Sequence, residues 1–340
     1  MKILIVKLSA FGDIIHTLPA LNDLLARPEV GEIHWLVDSR YAFVTDVFPP
    51  EVKVTAVALK GEHPVRSALE AIGKLKWEKF DAVIDLQGLI KAGVMARLIG
   101  SPVYGFDRRF IPEGPNRLFT HPVAFHPDET HVVQWYRRIA TGPFTAEPNQ
   151  PPATALEYRP PHLHLPPAAE NSALIEELAV EKEGYTVLNM GGGYATKRLP
   201  DNTWQRIAIE LARTGMTPLL LWGNSEEQER ALKIADGSNN IRVMPRRLDT
   251  LSLCTLLLQS RALISADTGV LHLAAALGIR TVSFWGPTQP QTLGPLGEND
   301  RHIIAPVACI NCRKRSCNDF ICMPKITPEM VLTALSERPE

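Results

Sequence analysis

The sequence has no excess of charge of either sign. Its 340 residues carry 36 lysines and arginines against 37 aspartates and glutamates, a formal net charge of -1. A protein dedicated to nucleic acid usually presents a basic excess, so no nucleic-acid partner is expected. An anionic ligand must therefore be met by a local group of cations. The composition, with 45% hydrophobic residues, is that of a globular protein.

Long apolar runs are also absent. Only Ile3 to Val6 is apolar before Lys7, which is too short for the hydrophobic region of a signal peptide. Even the stretch Leu251 to Ala266 is interrupted by Gln259 and Arg261, and it falls short of the ~20 apolar residues that span a bilayer. We therefore expect a cytoplasmic protein whose membrane contact, if any, is peripheral.

The GxGxxG fingerprint of dinucleotide-binding enzymes is missing from the first strand-to-helix turn. Ser9 to Gly12 contains a single glycine, and Asp13 follows it. This argues against an NAD-dependent dehydrogenase, which needs that phosphate-binding turn.

Apolar, β-branched runs alternate with helical patterns along the chain, and the length suffices for two domains. The helix between the first two strands, Ile14 to Ala26, is expected to tolerate Pro19 near its start. The alternation predicts α/β domains with parallel sheets, in which ligands lie beyond the carboxyl ends of strands. The predicted strands are Lys2 to Leu8, Ile33 to Val37, Ala82 to Leu86, Tyr185 to Asn189, Pro218 to Trp222, Ala262 to Ser265 and Thr281 to Trp285.

A proline-rich segment predicts the domain boundary. Prolines are dense from Gly142 to Pro167, which disfavours both helices and central strands. We predict an N-terminal Rossmann-like domain at 1–160, a C-terminal one at 161–325 and a terminal helix within 326–340. Thr327 is the expected cap of that helix, with Pro328 at its first position.

Two loops of the second half have features of a diphosphate site. Ser265 to Gly278 turns through Asp267 and Thr268 into an alanine-rich helix, whose N-terminus offers free N–H groups and a positive dipole end. Met190 to Pro200 joins three glycines to Lys197, a flexible backbone beside a cation. Simple helix capping and a glycine turn without function remain open alternatives.

Two further loops place carboxylates beyond predicted strands. Asp13, after Lys7, can deprotonate an attacking hydroxyl group. The acidic residues after Trp222-Gly can accept hydrogen bonds from ribose hydroxyls. In both loops, an acidic first helical turn is the alternative reading.

Four segments form a combination that is more specific than any one loop: Ile5 to Ala20, Phe80 to Lys91, Trp222-Gly with the following glutamates, and Asp267 to His272. Together they resemble glycosyltransferase family nine, the ADP-heptose:lipopolysaccharide heptosyltransferases, over nearly the whole chain. The resemblance implies the GT-B fold, in which two Rossmann-like domains have parallel sheets facing across a cleft. Phe80 to Lys91 favours the heptosyltransferase I group.

For function, the resemblance implies inverting, metal-independent transfer of L-glycero-D-manno-heptose from ADP-heptose to Kdo of Kdo-lipid A, in lipopolysaccharide inner-core biosynthesis. It implies a cytoplasmic enzyme, peripheral on the inner face of the inner membrane, that requires no cofactor for catalysis. Two alternatives stay open. One is heptosyltransferase II or another family nine enzyme with a different donor or acceptor, and the other is a non-catalytic nucleotide-binding protein.

The resemblance also implies roles for individual residues. Asp13 would be the general base, Lys197 would stabilise the departing ADP, and Glu227 would bind the adenosine ribose. The diphosphate would be held at Asp267, Thr268, Gly269 and His272. The remaining donor-site candidates are Lys7, Ser9, Gly12 and Gly191.

Acceptor candidates rest on charge alone. Kdo carboxylates and lipid A phosphates require cations, although any exposed cation can equally be a solvated surface residue. The candidates are Lys60, Lys91, Arg108, Arg109 and Arg117.

Four of the five cysteines lie within one short segment, at Cys309, Cys312, Cys317 and Cys322. A cytosolic location argues against disulfides. Four thiolates are the ligand number of a structural zinc site, and four reduced thiols are the alternative. The cluster lies outside the segments with predicted chemistry, so a bound metal would be structural.

Overall fold

The computed structural model describes residues 1–165, 173–178 and 180–337. The chain forms two compact units, Met1–His164 and Leu165–Glu340. Pro166 and Pro167 of the proline-rich segment, and residues 338–340 of the predicted terminal segment, lie outside the described residues. Within the described part of the chain, no helix combines the length and apolarity needed to cross a bilayer.

The first unit is a parallel six-stranded sheet with helices, in strand order β3-β2-β1-β4-β5-β6. Its central strands β1 and β4 are apolar and almost wholly buried, as expected when helices cover a parallel sheet. The strands are β1 (Lys2–Val6), β2 (Glu32–Asp38), β3 (Lys53–Val57), β4 (Ala82–Asp85), β5 (Val103–Gly105) and β6 (His121–Pro122). The helices are α1 (Phe11–Leu25), α2 (Pro64–Trp77), α3 (Ile90–Ile99) and α4 (Val132–Ala140), with short 3-10 helices at Ser39–Val47, Gly114–Leu118 and Gly142–Phe144.

The second unit repeats this architecture, in strand order β9-β8-β7-β10-β11-β12 and again with parallel neighbours. The strands are β7 (Tyr185–Asn189), β8 (Thr217–Leu221), β9 (Arg242–Val243), β10 (Ala262–Ala266), β11 (Thr281–Trp285) and β12 (Asp300–Ile304). The helices are α5 (Ala173–Leu178), α6 (Asp201–Arg213), α7 (Ser225–Ala235), α8 (Thr250–Leu258), α9 (Gly269–Ala276), α10 (Pro290–Leu293) and α11 (Pro328–Ser336), with 3-10 turns at Ala195–Lys197 and Met323–Lys325.

Both sheets have the strand order of doubly wound nucleotide-binding folds. The order reverses between β1 and β4 in the first unit and between β7 and β10 in the second. At such a switch point the neighbouring loops diverge and leave a crevice beyond the strand ends, where ligands bind. The predicted α/β class with two Rossmann-like units is confirmed.

Local sequence rules placed several elements correctly. Strands β7 and β11 have the predicted bounds. Helix α11 begins at Pro328 and its cap Thr327 accepts a hydrogen bond from the backbone N–H of Met330, as predicted. The prediction that Pro19 lies near the start of its helix was wrong. Helix α1 begins at Phe11, so the proline lies inside the helix. Helix α1 packs against α4, and Pro19 removes one backbone hydrogen bond within it.

Candidate functional site

In the first unit, Asp13 lies in the first turn of α1, just beyond the carboxyl end of β1. One carboxylate oxygen, Oδ2, accepts a hydrogen bond from the backbone N–H of Ala10 at 3.2 Å. The side chain is half-buried. Gly12 precedes it in the same turn and brings no side chain to it. This arrangement holds a carboxylate at the switch point of the first sheet.

Lys7 is buried beneath this turn, with 2% of its surface exposed. Its ammonium donates to the carbonyl oxygen of Leu86 at 3.0 Å and to the hydroxyl of Tyr136 at 2.8 Å. Burial lowers the pKa of Lys7, an effect opposed by the negative charges of Asp13 and Asp85. Lys7 therefore places a positive charge below Asp13 and does not reach the surface itself.

The loop after β4 holds the loop after β1 in place. The side-chain oxygen of Gln87 accepts hydrogen bonds from the backbone N–H groups of Leu8 and Ser9, both at 2.9 Å. Asp85 is fully buried and accepts from the backbone of Gln87 and Gly88, and from the side chain of Asn116 at 2.8 Å. Burial raises the pKa of Asp85 in spite of these bonds.

Sequence reasoning gave no role to Gln87, Asn116 or Tyr136. Gln87 lay within the segment that carries the family resemblance, and its position just beyond a predicted strand was the available signal. No sequence signal pointed to Asn116 or Tyr136. They belong to a 3-10 turn and to α4, which are distant in sequence from the loops that they contact.

In the second unit, Asp267 joins two of the predicted diphosphate residues. Its Oδ2 lies 2.6 Å from the ammonium of Lys197, and its Oδ1 lies 3.2 Å from Nε2 of His272. Burial opposes ionisation of this carboxyl group, but the hydrogen bond from His272 and the charge of Lys197 hold its pKa well below the usual range. Asp267 is therefore a carboxylate that orients a lysine and a histidine.

Thr268 caps α9, and a buried polar cluster fixes it. Its hydroxyl accepts a hydrogen bond from the backbone N–H of Leu271 and another from the side chain of Asn189 at 2.9 Å. The same amide of Asn189 donates to Ser265 at 2.8 Å. Within the described part of the chain, the backbone N–H groups of Gly269 and Val270 donate to no acceptor, so they remain available to an anion.

Glu227 is buried at the start of α7. Its Oε2 accepts a hydrogen bond from the backbone N–H of Gly223 at 2.8 Å. A Cβ atom at Gly191 would lie 3.2 Å from Oε1 of Glu227, so the absence of a side chain at Gly191 keeps this carboxylate open. Glu227, Gly191 and the Asn189 cluster thus lie together at the switch point of the second sheet.

The acceptor candidates lie on different elements of the first unit, and two of them, Arg108 and Arg109, share a cavity. Lys60 is exposed after β3, Lys91 is exposed in the first turn of α3, and Arg117 is exposed in a 3-10 turn. The guanidinium of Arg109 is already bound to Asp107 through two hydrogen bonds of 3.1 and 2.9 Å. Arg108 and Arg109 line a cavity of about 690 Å³ near the β6 edge, together with Tyr104, His121 and Pro148.

The cysteines show no preformed metal site in the described residues. All five are free, and no three of the sulfur atoms come within 4.8 Å of one another there. The group in the described chain that does meet this distance is Glu32, His34 and Glu78. Lys2 and Lys53 form ion pairs with its carboxylates, and their ammonium groups occupy the place of a cation.

Comparison with known proteins shows which family has this sequence and fold. A family model described as glycosyltransferase family 9 (heptosyltransferase) matches residues 69–320. Lipopolysaccharide heptosyltransferase 1 of Pseudomonas aeruginosa is 31% identical, over 98% of this chain and 97% of that protein. The protein of the same name from Escherichia coli K12 is 29% identical, over 90% of this chain and 94% of its own length.

A solved structure is similar to this chain over nearly its full length. The E. coli heptosyltransferase WaaC with ADP-2-deoxy-2-fluoro heptose superposes with a TM-score of 0.72 at 25% identity, covering 98% of both chains. The similarity therefore includes both units and is not limited to one of them.

Proposed function

This chain belongs to glycosyltransferase family 9, and from that membership we propose that it transfers L-glycero-D-manno-heptose from ADP-heptose to Kdo of Kdo-lipid A. The full-length relatives are named lipopolysaccharide heptosyltransferase 1, and the similar WaaC structure holds an ADP-heptose analogue. The donor and the type of reaction follow from these relatives. The acceptor is inferred from their name.

The observation that carries the proposal is the cluster at the N-terminus of α9. The Asp267 carboxylate lies 2.6 Å from the ammonium of Lys197 and 3.2 Å from Nε2 of His272. The first N–H groups of the same helix, those of Gly269 and Val270, donate to no acceptor in the described residues. A diphosphate needs this combination of cation, hydrogen-bond donors and positive helix end. Lys197 is placed to neutralise the charge that develops on the departing ADP.

Glu227 completes donor recognition in this proposal. Its carboxylate is buried, anchored through Oε2, and faces the space left open at Gly191. A carboxylate that accepts hydrogen bonds from ribose hydroxyls selects a nucleotide over inorganic diphosphate.

Asp13 is proposed as the general base. The acceptor hydroxyl attacks the anomeric carbon of heptose and gives its proton to the Asp13 carboxylate. The bond from the anomeric carbon to the phosphate oxygen breaks, and its electron pair leaves with ADP. A single displacement of this kind inverts the anomeric centre.

We propose that this chemistry requires no metal, because cations of the protein can neutralise the leaving group. Treatment with EDTA is expected to leave the transfer rate unchanged, and a loss that Mg²⁺ restores would contradict this. A structural zinc at Cys309, Cys312, Cys317 and Cys322 remains a separate proposal. Elemental analysis of the purified protein tests it, with one zinc per chain as the supporting result.

We place the enzyme in the cytoplasm, peripheral on the inner membrane face, where a lipid-anchored acceptor would be presented. The acceptor cations remain predictions. Arg108 is the candidate among them that lines a cavity and whose guanidinium has no carboxylate partner in the described residues.

The test is transfer from ADP-heptose to Kdo2-lipid A, read by the mass of the acceptor. The wild type should add a single heptose. Asp13→Asn should lose roughly 100-fold or more in rate, because an amide cannot take the proton. The matched control is Asp128→Asn, which removes an exposed carboxylate from the same unit and should leave the rate unchanged. No transfer by the folded wild type would reject this acceptor or donor.

A further inference from the structure

The cysteine segment, residues 309–322, is joined to the donor-site loop. It contains no helix or strand, and many of its side chains are exposed. Two backbone hydrogen bonds of 2.8 Å hold it to the loop after β11, from Asn311 to Gly286 and from Arg313 to Pro287. A third contact joins it to the glycine-rich loop, where the hydroxyl of Thr196 donates to the carbonyl oxygen of Lys314 at 2.7 Å. Thr196 directly precedes Lys197.

This junction brings Arg315 and Lys197 to the same aromatic ring, that of Tyr194. The guanidinium carbon of Arg315 lies 4.8 Å from the centroid of the Tyr194 ring. The ammonium of Lys197 lies 5.1 Å from the same centroid. Tyr194 thus gathers two cations at the edge of the diphosphate site, one from each loop.

Charge balance distinguishes Arg315 from the two cations of the glycine-rich loop. Lys197 is paired with Asp267 at 2.6 Å, and Arg198 is paired with Glu226 at 2.8 Å. In the described residues Arg315 contacts no carboxylate. A diphosphate brings more negative charge than the Lys197–Asp267 pair can offset, so an unpaired cation beside that pair is the missing part of the cradle.

We propose that Arg315 is a diphosphate-binding residue of the donor site, presented by the cysteine segment and stacked on Tyr194. This inference rests on the proposed function. Arg315 meets the oxygens of the diphosphate that Lys197 does not reach, and it contributes to the affinity for ADP as well as for the donor.

Binding of ADP by calorimetry tests the proposal. Arg315→Gln should weaken ADP binding roughly tenfold or more, because charge-assisted hydrogen bonds to the phosphates are lost. Arg315→Lys should recover part of the affinity. The matched control is Lys314→Gln, which removes one exposed charge from the same segment and should change ADP affinity less than twofold. Adenosine, which lacks phosphates, should bind the wild type and Arg315→Gln equally.

Thermal unfolding separates a binding role from a structural one, since an exposed Arg315 should leave the melting temperature unchanged. ADP affinity of Arg315→Gln within twofold of the wild type would overturn the proposal, and so would an equal loss in Lys314→Gln. A wild type that binds no ADP would contradict the proposed function itself. The two failures are therefore distinguishable.

Discussion

At Asp267, burial and charge act on one carboxyl group in opposite directions. Burial favours the neutral acid, whereas His272 and Lys197 favour the carboxylate and prevail. The ionised form then fixes both partners at the mouth of the second sheet. One buried charge thus organises the residues that are proposed to hold a diphosphate.

The lowered pKa of Asp267 predicts a pH-dependent contribution to stability. Because the folded pKa lies below the unfolded value of about 4, the contribution is fully present above pH ~4 and is lost as the pH falls through the folded pKa. Asp267→Asn should therefore have a lower free energy of unfolding than the wild type at pH 7, and this difference in free energy should become smaller below pH ~4. Urea unfolding of both proteins at pH 7, 5 and 3 measures the difference. A difference that stays constant across this range would contradict the assignment.

Tyr136 contacts Lys7, which lies beneath the proposed base Asp13. Its hydroxyl is buried, which raises its pKa well above the ordinary value, so it meets Lys7 as a neutral phenol. Tyr136→Phe should cost about 1–3 kcal/mol of unfolding free energy, because a buried ammonium loses an acceptor. It should also lower the transfer rate. Tyr41→Phe is the control, since the Tyr41 hydroxyl has no hydrogen bond in the described structure, and it should be neutral by both measures.

At the scale of elements, α9 shows how a capping residue can also serve a site. Thr268 satisfies the first turn of the helix, and its bond from Asn189 ties that turn to the end of β7. The predicted alternatives of capping and phosphate binding are therefore compatible, because the cap leaves the earlier N–H groups free.

A pair of cap mutations separates these two roles. Thr268→Val should cost about 1 kcal/mol of stability and should also weaken ADP binding. Asp249→Ala removes the cap of α8, where Asp249 accepts from the backbone N–H of Ser252 at 2.8 Å. It should cost a similar stability but leave ADP affinity unchanged. Equal ADP affinity in the two variants would show that Thr268 is a cap alone.

At the scale of the whole molecule, the proposed donor-binding residues and the proposed base belong to different units. The donor residues Lys197, Glu227 and Asp267 belong to the second unit, and the proposed base Asp13 belongs to the first. Each set lies where the strand order of its own sheet reverses.

This division predicts where ADP alone protects the backbone. In hydrogen exchange followed by mass spectrometry, ADP should slow exchange in 190–200, in 267–272 and around Glu227. Exchange in β6 and the neighbouring residues 107–117 of the first unit should not change. Protection that is spread evenly over both units would contradict an ADP site built from the second unit alone.

The sequence by itself determined the elements whose cause is local. The β-branched run Thr281–Trp285 forms a strand, Thr327 and Pro328 start a helix, and Thr268 followed by alanines starts another, because propensity and capping act over a few residues. The alternation of such elements also determined the α/β class. The strands β3, β5, β6, β9 and β12 escaped prediction. Of these, β5, β6 and β9 have only two or three residues, which carry no period.

Tertiary structure decided which residues meet. Gln87 contacts the loop after β1 across 79 residues of sequence and Tyr136 contacts Lys7 across 129. Arg315 contacts the ring of Tyr194, which also lies far from it in the sequence. No local rule predicts these contacts, because they depend on which strands are neighbours in the sheet. The extent of burial of each side chain was also decided by the tertiary structure. Lys7, a candidate donor ligand from the sequence, is buried beneath Asp13.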